Sequence, residues 1–293
     1  MIAHPPARTV CSAHAKINLG LLVTGTRSDG YHDIATVFHR VALADRVTLA
    51  EEGEITVSST DPAAPAGPDN ICHAAARLVA AELGTRRGVR ISIGKNIPVG
   101  GGLGGGSADA AAVLLELPRL WNTELPAETL RALALRLGSD VPYFLRPGSA
   151  LGRGRGEILD YFPLDIPFAI LLVTPRLHVS TAWAYGRVTP RARPGTDIRE
   201  ILASGLSDPA LLAGALVNDF EEPVCREYPL IATLKGALLA RGALYASLSG
   251  SGSSLYAFFP GTAEAESAGE GFPGCLTNVT PPHWQAAASR EAR

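Results

Sequence analysis

Six glycines in seven positions constrain this chain more than any other stretch. Gly100, Gly101 and Gly102, then Gly104, Gly105 and Gly106, surround a single Leu103, and Ser107 leads into the apolar helical run AlaAspAlaAlaAlaValLeuLeuGluLeu. Glycine accepts positive φ and lets other atoms approach the backbone, so the N–H groups of such a loop can turn toward one ligand. The helix start that follows adds unpaired N–H groups and the positive end of a dipole. Together they make an anion cradle, and phosphate is the anion expected there.

Two familiar phosphate motifs do not fit. A Walker loop ends in Gly-Lys-Ser/Thr, whereas this loop ends Gly105-Gly106-Ser107 without a lysine. The pattern G-x-G-x-x-G does occur at Gly100, Gly102 and Gly105, but a dinucleotide fold requires a second strand carrying an acid after it, and here another helix is predicted from about Leu125 to Leu137. A flexible hinge is the remaining alternative. Hinge glycines are usually mixed with serine and polar residues and do not open a helix.

A chain of 293 residues with 46% hydrophobic content can build one large domain or two ordinary ones. Two lobes are expected, 1–160 and 161–293. The net charge of −2 offers no positive field for nucleic acid or an anionic membrane. Cys11, Cys72, Cys225 and Cys275 lie far apart, without metal-binding spacing, and the first residues carry no apolar signal core, which predicts reduced thiols and a cytoplasmic location. No apolar run reaches the roughly eighteen residues of a membrane span.

In chain order, an irregular start at 4–8 precedes β structure from Thr9 to Val23, with Lys16 and Asn18 on one strand face. Thr24 to His32 reads as a turn-rich loop. Asp33–Leu43, Arg46–Ala50 and Glu54–Ser58 read as further antiparallel strands. Asp69-Asn70 caps a helix to about Leu83, and Val89–Gly94 is a strand feeding the glycine loop. Gly148–Gly156 reads as a crossing between lobes. A buried strand ends at Thr174-Pro175, and a short helix bears Thr181, Trp183 and Tyr185. Residues 189–196 read as a linker, two or three helices fill Asp197 to Arg241, and Ser249 to Ser254 joins two strands. The last strand is placed at Gly274–Val279.

Phosphoryl transfer needs phosphate charge neutralised and a hydroxyl held for attack, often with a base beside it. Lys16 sits in a mostly apolar strand, where an ammonium needs a carboxylate partner unless it snorkels at an edge. Asp140 follows a helix end, where it either faces a cleft or caps the turn containing Pro142. The Ser249–Ser254 loop either closes over phosphates or is a plain turn. Tyr31 and His32 suit base or hydroxyl contacts but are also ordinary surface residues, and Trp183 and Tyr185 either stack on a base or pack their helix.

These stretches together resemble a known family. Residues 98–112 resemble the second signature of the GHMP kinases, the superfamily of galactokinase, homoserine kinase, mevalonate kinase and phosphomevalonate kinase. AlaLysIleAsnLeuGlyLeu at 15–21, AspGlyTyrHis at 29–32, the doubled glycine loop and GlySerAspValProTyrPhe at 138–144 are similar to its branch that acts on a cytidine-diphosphate sugar alcohol. The similarity runs over nearly the whole chain. It implies an α+β two-lobe fold, with an N-terminal lobe like domain 2 of ribosomal protein S5 and a ferredoxin-like C-terminal lobe. The implied activity is ATP- and Mg2+-dependent phosphorylation of the 2-hydroxyl of that small molecule in non-mevalonate isoprenoid synthesis, by a monomer or weak homodimer.

The same resemblance implies roles. Asp140 is the base and Lys16 its cationic partner. Asn70, Lys95, Pro98, Gly100, Gly101, Gly102, Leu103, Gly104, Gly105, Gly106 and Ser107 hold ATP. Asn18, Tyr31, His32, Thr181, Tyr185, Ser249, Gly250, Ser251 and Gly252 hold the substrate, with His32 reading the cytosine edge and Tyr31 and Tyr185 sandwiching its ring. No carboxylate announces itself as a magnesium ligand. Ala108 stands where the family usually has a second serine. The rivals are another small-molecule kinase of the superfamily and a binding protein of the same fold that has lost catalysis.

Overall fold

A computed structural model describes residues 7–286 apart from 192 and 194, so the irregular start expected at 4–8 lies mostly outside the described residues. Two strands of unusual length begin the fold, β1 (Arg8–Thr26) and β2 (His32–Glu52), paired antiparallel from Arg8 opposite Ala50 to Thr26 opposite His32. Three register shifts interrupt the ladder. The first falls between His14 and Lys16, and the Lys16 N–H leaves the ladder to donate to the Leu103 carbonyl at 2.9 Å. An irregularity of this kind re-aims a side chain, and here it turns Lys16 toward the glycine loop.

The two strands expected at 33–43 and 46–50 are one. Polar residues in the middle do not break β2 because Asp45 is buried and its carboxylate accepts from the N–H groups of Asn96 and Ile97, at 2.6 and 2.8 Å. β3 (Ile55–Ser59) pairs parallel, not antiparallel, with β4 (Gly88–Gly94), because the helix α1 (Ile71–Glu82) supplies the crossover that parallel pairing needs. Gly148–Gly156 is not a crossing between lobes. It contains β5 (Ser149–Gly154), paired to the first half of β2, with β6 (Ile158–Phe162) at the sheet edge. A Cβ at Gly152 would lie 2.6 Å from the Phe38 ring, so the glycine there makes room for packing within the sheet.

The first sheet runs β3-β4-β2-β5-β6, with β1 also on β2. Against it pack α1, α2 (Gly105–Leu120) and α3 (Ala127–Leu137), through a core that includes Val47, Leu49, Ile91, Val79, Val113 and Leu117. The second sheet, wholly antiparallel, runs β10 (Leu276–Thr280), β7 (Ala169–Thr174), β9 (Leu255–Phe259), β8 (Tyr245–Leu248).

Among the described residues six helices belong to this half: α4 (Thr181–Tyr185), α5 (Ile198–Ser207), α6 (Leu212–Ala215), α7 (Glu221–Glu227), α8 (Pro229–Ala240) and α9 (Thr262–Gly269). The span 197–241 thus holds four helices where two or three were expected. Pro209 and Pro229 each begin a new turn that the preceding helix cannot continue. A third core cluster, with Ile17, Leu19 and Val37 against Ile170, Tyr256 and Phe258, joins the two sheets into one α+β body.

Candidate active site

The glycine loop stands where these halves meet. Gly100, Gly102 and Gly104 take φ of 74, 78 and 69°, the left-handed region that disfavours side chains. Gly104 is the N-cap of α2 and contributes no side-chain cap; the helix begins at Gly105, three residues before the run expected from Ala108. Its first N–H groups are left for a ligand. The Ser249–Ser254 loop packs directly against it. Ser254 N–H donates to the Gly101 carbonyl at 3.1 Å and the Ser249 hydroxyl to the Gly102 carbonyl at 3.2 Å, while a Cβ on Gly102 would collide with the Ser249 carbonyl.

On one side of the loop is a cavity of about 370 Å³ lined by Asn70, Ile71, Lys95, residues 98–107 and Asp109. It gathers every residue expected to hold ATP. Asn70 also caps α1, accepting from Cys72 N–H at 2.9 Å and donating to the Pro65 carbonyl at 2.7 Å. Lys95 is not a free cation. Its ammonium bonds Asp45, and Asp109 at 3.0 Å, all three side chains being buried. Burial opposes the charge on Lys95, but the Asp109 and Asp45 carboxylates outweigh it and raise its pKa. Burial pushes Asp109 up to about 7, against the pull of Lys95. Neither carboxylate was singled out from the sequence, where each looks like a common polar residue within an element.

On the other side, Lys16, 4% exposed, donates to Asn18 Oδ1 at 2.6 Å and lies 3.5 Å from Asp140 Oδ2. The alternatives for both residues are thereby decided. Lys16 is buried and not snorkelling, and Asp140 makes no side-chain cap bond to the turn Val141–Leu145 that it precedes. Asn18 is itself oriented by donating to Thr36 Oγ1 at 3.0 Å. A cavity of about 160 Å³ brings Lys16, Asn18 and Asp140 together with Gly102, Gly104, Thr181, Tyr185, Gly250 and Ser251. Gly102 and Gly104 therefore border both cavities. A larger groove of about 1180 Å³, bordered by residues 95–99, contains neither Lys16 nor Asp140, so size alone does not locate the chemistry.

The aromatic residues divide. Tyr185 enters the smaller cavity, its pKa raised to about 12 by burial and by Asp140. Trp183 turns away, edge-on to Tyr228 at 5.5 Å. Tyr31 is 54% exposed beneath the Arg155 guanidinium, 4.8 Å from the ring centroid, and it is His32, not Tyr31, that stacks on Tyr185. The Thr181 hydroxyl meets Ser251 at 3.1 Å. Ser249 and Gly252 do not line the cavity; Ser249, Ser253 and Ser254 spend their hydroxyls on Gly102, Leu177 and Thr174, so they shape the loop. Arg155 and Phe220 also line it, neither anticipated from sequence. Among the described residues no three His, Cys, Asp or Glu side chains are grouped to hold a metal ion.

Comparison with known proteins shows the family. Family models described as GHMP kinases N terminal domain and GHMP kinases C terminal match residues 70–148 and 198–274. The chain is 42% identical over 276 residues to the 4-diphosphocytidyl-2-C-methyl-D-erythritol kinase of Chlorobium chlorochromatii, covering 92% of this chain and 95% of that one. A crystal structure of 4-(cytidine 5'-diphospho)-2C-methyl-D-erythritol kinase matches with a TM-score of 0.81 at 35% identity, covering 94% and 99% of the two chains. A homoserine kinase from Cytophaga hutchinsonii shares the fold, with a TM-score of 0.72 at 19% identity and 97% of each chain covered.

Proposed function

The chain belongs to the GHMP kinases, and from that membership we infer that it phosphorylates 4-diphosphocytidyl-2-C-methyl-D-erythritol at the 2-hydroxyl, with ATP as donor, in non-mevalonate isoprenoid synthesis. One observation carries the assignment of the parts. A single glycine loop separates a cavity of nucleotide type from one holding the Lys16–Asp140 pair, so a donor phosphate and an acceptor hydroxyl would meet across Gly102 and Gly104.

In this reading the loop N–H groups and the start of α2 hold the triphosphate. Asp140 orients the acceptor hydroxyl and takes its proton, while Lys16 stabilises the negative charge developing on that oxygen. Transfer is direct and in line, without a phosphoenzyme. Tyr185 supplies a ring face to the cytosine, with Thr181, Gly250 and Ser251 closing the cavity. Among the described residues no group of three His, Cys, Asp or Glu side chains forms a cage for magnesium; the ion would arrive with the nucleotide, held by phosphate oxygens and water.

Lobes divided near residue 160, a cytoplasmic location and a monomer or weak homodimer complete the proposal. Among the described residues no helix is long and apolar enough to cross a membrane. An ATP-coupled assay over a panel of acceptors tests the function. Turnover with the cytidyl compound, and none with mevalonate or homoserine, is expected; the reverse pattern overturns the substrate, and no ATP turnover with any acceptor overturns the kinase reading.

A further inference from the structure

The cluster beneath the glycine loop carries one charge too many. Asp45 and Asp109 share a single ammonium, that of Lys95, and the side chains of the three are 0, 3 and 5% exposed. Asp45 is fully used: one oxygen accepts from the N–H groups of Asn96 and Ile97 and the other meets Lys95. Asp109 is not. Its Oδ2 meets Lys95 at 3.0 Å, while Oδ1 is buried with no hydrogen-bond partner. A structural ion pair is normally balanced, and a buried carboxylate oxygen left unpaired is costly.

Among the described residues Asp45 and Asp109 both pair with Lys95. Cys72 faces the cluster from α1; burial, and then the negative charge of Asp109, raise its thiol well above its usual range, so it adds no charge. Asp69, at the cavity wall, and Asp61, in the neighbouring groove, bring no cation. A proton on Asp109 is the simplest neutraliser, and burial has already lifted its carboxyl to about 7.

Position makes this charge relevant to a ligand. Lys95 precedes the glycine loop and Asp109 follows it, so their contact closes the loop at its base. A Cβ on Gly105, the first residue of α2, would stand only 3.1 Å from the Lys95 ammonium. Both Lys95 and Asp109 line the cavity assigned to the nucleotide. We propose that Asp109 is a positioning residue whose unpaired oxygen takes up a proton when nucleotide phosphates enter the glycine loop, so that the Lys95 charge, until then shared between two carboxylates, becomes available to the phosphates.

The balance is simple. One proton from solvent bonds Asp109 Oδ1, converting carboxylate to carboxylic acid, and no other bond changes. The driving force is Coulombic: anionic phosphates placed near a buried carboxylate favour its neutral form. The sign follows by linkage. Binding that consumes a proton weakens as pH rises through and above the free-state pKa, by up to about tenfold per pH unit.

The proposal rests on reading the 370 Å³ cavity as the nucleotide site, and the test separates the two. Calorimetric titration with the magnesium complex of a non-hydrolysable ATP analogue, at pH 7.5 in two buffers of different ionisation enthalpy, counts protons directly. Wild type should take up about half a proton or more per nucleotide bound, and its affinity should fall several-fold between pH 7.5 and 8.5. Asp109→Asn, close to isosteric, should bind the nucleotide with no proton uptake and with less than about twofold change over that range. Binding by wild type without proton uptake overturns the proposal and leaves the nucleotide site standing, without need of any variant. Uptake undiminished in Asp109→Asn overturns the choice of residue. No binding by wild type overturns the nucleotide site and the proposal with it.

Discussion

His32 lies stacked on Tyr185, ring centroids 5.1 Å apart and planes 25° apart, while Phe220 meets the same tyrosine edge-on at 4.8 Å. One face of the phenol ring is thus covered by an imidazole, and a planar base meeting that face must displace His32 or stack on its outer side.

Base stacking on an aromatic ring is worth about 1–3 kcal/mol, so Tyr185→Ala should raise KM for the cytidyl substrate by about tenfold or more with a smaller effect on kcat. Tyr185→Phe preserves the ring face and its contact with Phe220, and its KM should stay within about twofold of wild type. Steady-state kinetics with varied acceptor decide the matter. If Phe were as damaging as Ala, the hydroxyl and not the ring face would be the recognition element.

Asp140 makes no cap bond, but it is the carboxylate beside the buried Lys16 ammonium. Asp140→Asn should lower kcat by about 10²–10⁴-fold, the usual range for a general base, and should also lower the melting temperature, because Lys16 loses the opposite charge. Lys16→Met removes the ammonium instead. It also strips the 2.6 Å donor from the buried Asn18 Oδ1, and it should cost about 1–3 kcal/mol of stability besides activity. Near-normal turnover in Asp140→Asn would show that another group takes the proton.

What was legible in the sequence follows from what local chemistry reports. Clustered glycines before a helical run announce a left-handed loop that opens a helix because backbone freedom is a property of consecutive residues, and the Lys16–Asp140 pairing followed from the need of an apolar strand to neutralise an ammonium. The parallel β3–β4 pairing was not legible, since strand direction depends on where α1 packs. Nor was the Lys95 cluster. Asp45 lies within β2 and Asp109 within α2, and their shared ammonium comes from the loop after β4, so only the fold brings the two carboxylates together. Arg155 likewise reaches the cavity that holds Lys16 and Asp140 because Gly148–Gly156 forms a strand and turn beside β2.

Gly104 joins both cavities, and two obstacles face a side chain there. Its φ is 69°, and a Cβ would stand 3.0 Å from the Phe144 ring and 3.1 Å from Lys16 Cγ. Gly104→Ala should cost about 1–3 kcal/mol in stability through backbone strain. It should also raise KM for ATP more than KM for the acceptor, because the cap of α2 is displaced. Thermal unfolding together with kinetics in both substrates checks this. An unchanged KM for ATP would remove Gly104 from the phosphate cradle.

Stability should also depend on pH through His39, a residue remote from the chemistry. The ring is 5% exposed, its Nδ1 lies 2.8 Å from the Ser149 hydroxyl, and burial lowers its pKa to about 4. In the unfolded chain a histidine titrates near 6.5. Between those values the unfolded state holds a proton that the folded state rejects, so stability is full above about pH 6.5 and is lost as pH falls toward 4, by up to about 3 kcal/mol. Burial and Arg40 lower His14 as well, which adds to the loss in the same direction. Asp109, lifted to about 7, takes up its proton in the folded state over the same range and works against this loss, so the contribution of His39 is read from the difference between variants. Urea unfolding at pH 7 and pH 5 should show that lowering the pH is less unfavourable for His39→Gln, which keeps a polar partner for Ser149 but cannot titrate, than for wild type, by about 2 kcal/mol. An equal change in wild type and His39→Gln would place the sensitivity elsewhere.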